Sequence, residues 1–261
     1  MKAFKPFLLL QVRPEDEAAD NEYAAFSTFG NLDLSEVHRV RLDRESLPDI
    51  NLSEYSGVFL GGGPYNVSDD ESKKSDDQLR VESELTTLLC TIVDNDIPYL
   101  GDCYGLGMLS SCQGGVVSKA KYGESVGVIH VHTTEAAEHD ELMRGLPASF
   151  HALGGHKEAC QTIPKEAVLL ASSESCPVQM IRVKTNVYAT QFHVELDVSG
   201  LFLRIDIYKH AGYFPPEDAQ LLKDKVKDTQ VSIPMVILSR FVERYKQPLI
   251  PASSAVNGSA A

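Results

Sequence analysis

Apolar residues along this 261-residue chain come in short runs separated by polar stretches. Phe7-Leu8-Leu9-Leu10-Gln11-Val12 has the length and character of a buried strand. Val37 to Leu42 alternates apolar and polar positions and predicts a second strand. Gly57-Val58-Phe59-Leu60 predicts a third, ending abruptly in Gly61-Gly62-Gly63-Pro64. From Ser75 to Asp94 the apolar residues Leu79, Leu85, Leu88, Leu89, Ile92 and Val93 fall at helical spacing, with acids near the start that suit the helix dipole. Pro98-Tyr99-Leu100 predicts a short strand. Gly101-Asp102-Cys103-Tyr104-Gly105 and a small helix to about Cys112 follow it.

Strands and helices in this order are the grammar of a parallel sheet covered by helices. Further short strands are expected at 114–117, 126–132, 167–171, 178–181 and 187–191. A helix is expected over 202–208, and a capped one after Ser232 with Pro234 in its first turn. Residues 248–261 are small, polar and Pro-containing, as in a loosely held tail. No internal repeat is visible. The expected organisation is one α/β domain over 1–200, a helical extension over 201–247 packed on it, and a flexible tail over 248–261.

Composition narrows the classes. Hydrophobic residues at 43% and charged residues at 23% allow a globular core. A net charge of −13 without a dense Lys/Arg cluster argues against nucleic acid and anionic membranes as partners. Five cysteines, an odd number with no CxxC pair, indicate neither a disulfide scaffold nor structural zinc. The apolar run at 7–10 is too short for a signal segment, and no stretch has membrane-spanning length. The expected setting is reducing and cytoplasmic. His130 and His132 share one strand face, but no third ligand is evident and a solvated face explains them. The acids at 69–71 and 76–77 suit a loop and a helix start. Neither a metal nor a cofactor is called for.

Three segments carry candidate chemistry. In Tyr99-Leu100-Gly101-Asp102-Cys103-Tyr104-Gly105 a strand meets a sharp turn and a helix leaves it, lifting Cys103 clear of the sheet. Gly101 and Gly105 supply the small neighbours such a turn needs, and a helix N-terminus favours a thiolate. Alone, Cys103 could equally be a small core residue. In Gln191-Phe192-His193-Val194-Glu195, a histidine just past a strand end can face the same crevice, with Glu195 to orient it. Cys103, His193 and Glu195 together make a nucleophile, a base and an orienting acid. Gly61-Gly62-Gly63-Pro64 lets backbone N–H groups of Gly62 or Gly63 approach an oxyanion, with the N–H of Tyr104 beside the nucleophile. Asp102 could repel the thiolate charge or point to solvent; both remain open.

These segments, in this order, resemble the class I glutamine amidotransferase family, from about residue 7 to 200. Gly61–Pro64 is similar to its oxyanion turn and Gly101–Gly105 to its Gly-x-Cys-x-Gly elbow. Gln191–Glu195 is similar to its Gln-Phe-His-Pro-Glu block, with Val194 in place of proline. His156-Lys157-Glu158, before Ile163-Pro164, resembles more weakly a His-x-Asp of guanylate-synthase-type members, so that His156 would line the site. The resemblance implies a flavodoxin-like, mostly parallel sheet with helices on both faces. It also implies hydrolysis of glutamine through a thioester, with ammonia passed to a synthase domain or subunit. Residues 200–261 are too few to hold a synthase, so any acceptor chemistry would sit on another polypeptide. Gly107 stands where the family usually has a substrate-contacting glutamine, which opens the choice of amide. A γ-glutamyl hydrolase or peptidase of the same fold is one alternative, and a non-catalytic binding module is another.

Overall fold

The computed structural model describes residues 4–249. Strands β1 (Phe7–Gln11), β2 (Val37–Arg41), β3 (Gly57–Leu60) and β4 (Tyr99–Asp102) come from the first half of the chain. β5 (Val116–Ser118), β6 (Glu124–Thr133), β7 (Ser149–His156), β8 (Ala159–Thr162), β9 (Ala167–Ser173), β10 (Met180–Val183) and β11 (Val187–Thr190) follow. The helices are α1 (Asp16–Phe29), α2 (Asp76–Asp94), α3 (Tyr104–Cys112), α4 (Val198–Tyr208), α5 (Ala219–Val226) and α6 (Ile233–Tyr245).

The main sheet runs β2-β1-β3-β4-β11-β10-β9-β6-β7, and β5 pairs with β8 apart from it. Its first five strands are mutually parallel, which bears out the expected doubly covered sheet. β10, β9, β6 and β7 extend it through antiparallel pairs, so the sheet is mixed. Period-two alternation along β1 and β3 divides the core. Phe7, Leu9 and Phe59 face Phe26 of α1 and Phe241 of α6, whereas Leu8, Leu10, Val58 and Leu60 face Val81, Leu85 and Leu89 of α2. A third cluster joins Leu201 and Ile205 of α4 to Val226 of α5 and Leu153 of β7.

Two features depart from the apolar pattern of the sequence. α1 escapes hydrophobic periodicity because its buried face is Ala18, Ala19, Glu22, Phe26 and Ser27, small or polar except for one ring. α2 starts where expected, with the Ser75 hydroxyl accepting from the Gln78 N–H, yet Leu79 is exposed and Gln78 is buried in its stead. Of the expected tail, Pro248 forms a bridge with Phe4, and residues 250–261 lie outside the described residues. No helix among the described residues is long and apolar enough to cross a membrane.

Candidate active site

The site gathers at the C-terminal ends of β3, β4 and β11, where open parallel sheets leave a crevice. Cys103 sits between β4 and α3 with φ 46° and ψ −94°, outside the regions L-residues ordinarily occupy. Its N–H donates to Thr190 O at 2.7 Å, locking the turn to β11. The small neighbours are a packing requirement. A Cβ on Gly101 would lie 2.2 Å from the Tyr99 hydroxyl, and one on Gly105 would lie 3.0 Å from Leu60 O.

His193 follows β11 by three residues. Its N–H donates to Leu153 O at 3.0 Å, so β7, a strand with no clear signal in the sequence, fixes the backbone there. The ring lines the same cleft as Cys103. Glu195 Oε1 lies 3.2 Å from His193 Nδ1, and Asp102 Oδ1 lies 3.3 Å from it. Two carboxylates facing one nitrogen favour a proton on Nδ1, leaving Nε2 as the free basic atom. Arg204 Nη2 donates to Glu195 Oε1 at 2.6 Å. Arg204 Nη1, 3.2 Å from Nδ1, then makes a contact between two N–H groups.

All three titratable groups are buried, and their charges answer one another. Burial works to lower the pKa of His193. The charges of Asp102 and Glu195 outweigh it and hold the imidazole well above its usual range. Burial pushes Asp102 up to about 8, helped by the Glu195 charge and opposed by His193. Burial also acts to raise Glu195, but His193 and then Arg204 hold it well below the usual carboxylate range. Arg204 therefore decides which of the two acids is the ionised one. Of the two alternatives left open for Asp102, it is directed neither to solvent nor primarily at the thiol: it faces the imidazole.

The glycine turn after β3 is built to equally tight tolerances. A Cβ on Gly62 would lie 2.5 Å from His193 Cε1 and 2.9 Å from Arg13 Nη2, and one on Gly63 would lie 2.4 Å from Val12 Cγ2. Beyond the turn, Glu158 accepts from the N–H groups of Val67 and Ser68 at 2.8 and 2.9 Å, and from the Ser68 hydroxyl at 2.6 Å. Gly107, in the first turn of α3, faces this carboxylate: its Cβ position lies 3.5 Å from Glu158 Oε1 and 3.3 Å from Val67 Cγ2. Tyr104, Gly107 and His156 line the part of the cleft bordered by Tyr65, Asn66 and Glu158. The imidazole of His156 is engaged on both sides, by Glu158 O at 2.8 Å and Glu124 Oε2 at 2.8 Å. It walls the cleft without a free polar atom to offer.

Several polar residues around the cleft escape sequence reasoning. Arg13 donates through Nε to Glu22 Oε1 at 2.7 Å, and Gln11 Nε2 donates to Glu22 Oε2 at 2.8 Å. Tyr213 is pushed up in pKa by burial and then by the charge of Cys103, so it too stands beside that residue. The available signals are charges within apolar or small-residue runs: Glu22 after Ala18-Ala19, and Arg204 in Leu201-Phe202-Leu203-Arg204-Ile205. Among the described residues, two groups bring three donor atoms within 4.8 Å of one another: Asp102, His193 and Glu195, and Glu124, His156 and Cys176. In the second, burial pushes the Cys176 thiol up to about 12, and Glu124 is already bonded to His156. His151, opposite His130 on β7, stands beside the exposed His130 and His132, with ring centroids 5.4 Å apart for His130 and His151. These three do not form such a group.

Comparison with known proteins shows relatives over most of this chain. A GMP synthase (glutamine-hydrolyzing) of Lactobacillus delbrueckii subsp. bulgaricus is 33% identical over 141 residues, 54% of this chain but 24% of that protein. This chain thus spans about a quarter of that relative's length. Gamma-glutamyl peptidase 3 of Arabidopsis thaliana is 24% identical over 242 residues, 87% of this chain and 91% of the peptidase. In fold, a glutamine amidotransferase from Thermotoga maritima superposes with a TM-score of 0.73 at 23% identity, covering 92% of this chain and 98% of that one. The model of the family described as "Glutamine amidotransferase class-I" matches residues 17–200, a span that holds the glycine turn, the Cys103 elbow and the His193–Glu195 block, and this chain belongs to that family.

Proposed function

We propose that this chain is a glutamine amidotransferase-type amide hydrolase that works through a thioester on Cys103. The observation that carries the proposal is Cys103 raised on a strained strand-to-helix turn, in one cleft with a histidine whose Nδ1 faces Glu195. His193 takes the thiol proton, and the thiolate attacks the carboxamide carbon. N–H groups of Gly62 or Gly63 and of Tyr104 stabilise the oxyanion. His193 then returns the proton to the departing nitrogen, and water cleaves the thioester. Cys103, His193 and Glu195 are the proposed triad. Gly107 and His156 shape the acyl side without donating to it.

Glutamine is the simplest substrate of this kind, and a synthase would be the user of its ammonia. The nucleophile must remain a thiol. All five cysteines are unpaired, which fits a reducing, cytoplasmic setting. A γ-glutamyl hydrolase of the same chemistry is the second reading, favoured by near full-length similarity to a γ-glutamyl peptidase and by Gly107. Ammonia release from L-glutamine is expected with the native chain and not with Cys103→Ala. A diazo-ketone glutamine analogue is expected to label Cys103 alone. Labelling spread over the other cysteines, or an unreactive Cys103, would support a non-catalytic module instead.

A further inference from the structure

The cleft at Cys103 has two arms of different character. One is bordered by Tyr65, Asn66, Tyr104, Gly107 and Glu158 and excludes His193. The other contains His193, with Arg13, Leu201, Ile205 and Phe214 around it, and Tyr213 borders both. A leaving nitrogen takes its proton from the general acid, so it must lie on the arm that holds His193. The first arm is then the acyl side and the second the amine side.

The amine side is larger and more elaborate than ammonia requires. Its apolar walls come from α4 and from the segment after it. Lys157 ties that segment down. Its Nζ donates to Ala211 O at 2.8 Å and lies 4.2 Å from the centre of the Tyr213 ring. Arg13 is held by Glu22 through Nε and by the Tyr208 hydroxyl, 3.3 Å from Nη1. Among the described residues, Arg13 Nη2 has no hydrogen-bond partner, and it and His193 Cε1 both border the space beside Gly62, 2.9 and 2.5 Å from where a Cβ there would stand. The residue is 4% exposed and lines the cleft, so this N–H is available to an acceptor bound there. The charge of Arg13 is paired with Glu22 through Nε, and Nη2 remains a charge-assisted donor suited to a carboxylate. Arg13, Leu201, Ile205, Tyr213 and Phe214 all lie outside residues 17–200, the span shared with the family model.

We propose that the His193 arm is a subsite for the amine half of an N-substituted amide, an apolar or aromatic amino acid whose carboxylate meets Arg13. This rests on the thioester hydrolase proposed above and assigns its substrate as a γ-glutamyl dipeptide. The bond balance is that of amide hydrolysis. The Cys103 sulfur bonds to the γ-carbonyl carbon, and the C–N bond breaks. The amine departs with the proton His193 carried, and one water releases glutamate and regenerates the thiol.

The test compares three substrates on the full chain: L-glutamine, γ-glutamyl-phenylalanine and γ-glutamyl-phenethylamide, which keeps the ring and lacks the carboxylate. Cys103→Ala serves as the blank. Burying the ring and pairing the carboxylate should each raise kcat/KM by about tenfold, giving γ-glutamyl-phenylalanine first and glutamine last. In Arg13→Gln the two γ-glutamyl substrates should converge. The ranking in the native chain needs no variant to fold. Glutamine cleaved as well as γ-glutamyl-phenylalanine would overturn the subsite and leave the hydrolase standing. Equal rates on the two γ-glutamyl substrates would overturn the role of Arg13. Turnover of none would overturn both the subsite and the hydrolase.

Discussion

Asp102 Oδ1 lies 3.3 Å from Nδ1 of His193, almost as close as the Glu195 oxygen at 3.2 Å. Both oxygens of Asp102 and Oε2 of Glu195 are buried without a hydrogen-bond partner. A proton on Asp102 gives this cluster a donor and removes one of two like charges. Burial and the Glu195 charge, which push Asp102 up to about 8, act in the same sense.

Asp102 should therefore make the fold less stable as pH rises. Its folded pKa of about 8 exceeds the ordinary value of 3.8, so between these limits the folded chain holds a proton that the unfolded chain releases. The favourable contribution is complete below about pH 4 and is lost as pH approaches 8. His193, also raised, adds loss in the same direction above its ordinary pKa of 6.5. Asp102→Asn keeps the shape and cannot ionise. Its thermal midpoint should gain on the native chain between pH 5 and pH 8, by about 2–4 °C for each kcal/mol recovered. A difference between the two proteins that is constant over that range would mean that Asp102 is ionised throughout.

Gly62 leaves room for the His193 ring. A methyl group there would lie 2.5 Å from Cε1, and the far side is occupied by Arg13 and Asp102. Gly62→Ala should displace the imidazole and lower kcat/KM by about 100-fold or more. Because the added methyl meets side-chain atoms of His193, Arg13 and Asp102 and no backbone, the thermal midpoint should move by only a few degrees. Full turnover in a folded Gly62→Ala protein would show that His193 is not held by this contact.

The Cys103 backbone, at φ 46° and ψ −94°, holds strain of about 1–3 kcal/mol for a residue with a Cβ. Glycine removes that penalty, against about 0.5–1 kcal/mol of added chain entropy in the unfolded state. Cys103→Gly should thus unfold at higher urea than Cys103→Ala, by about 1 kcal/mol, although both lack the nucleophile. Equal urea midpoints would mean that the turn relaxes without cost.

The glycine turn and the Cys103 turn were legible in the sequence because their conformational requirements are local. An elbow needs small residues two positions to either side of its nucleophile, and Gly101 and Gly105 stand there. An oxyanion turn needs backbone exposed after a strand, and Gly61–Gly63 follow β3 directly. His193 and Glu195 lie two residues apart just after β11. The five parallel strands were legible too: β1, β3, β4 and β11 are buried throughout and read as short apolar runs, and the edge strand β2 reads by its alternation.

Tertiary structure alone decided how the buried charges are matched. Glu22, Arg13 and Arg204 read in sequence as ordinary surface residues, because hydrophobic periodicity registers apolar burial and is blind to a charge buried against its partner. Glu22 lies on α1, Arg13 just after β1 and Arg204 on α4, and only folding brings them to one end of the sheet. The direction of Asp102, the anchoring of His193 by β7 and the closure of the amine side by α4 and Tyr213 likewise depend on contacts between segments far apart in the chain. A local pattern can specify a turn, but it carries no information about which distant segment will supply its partner.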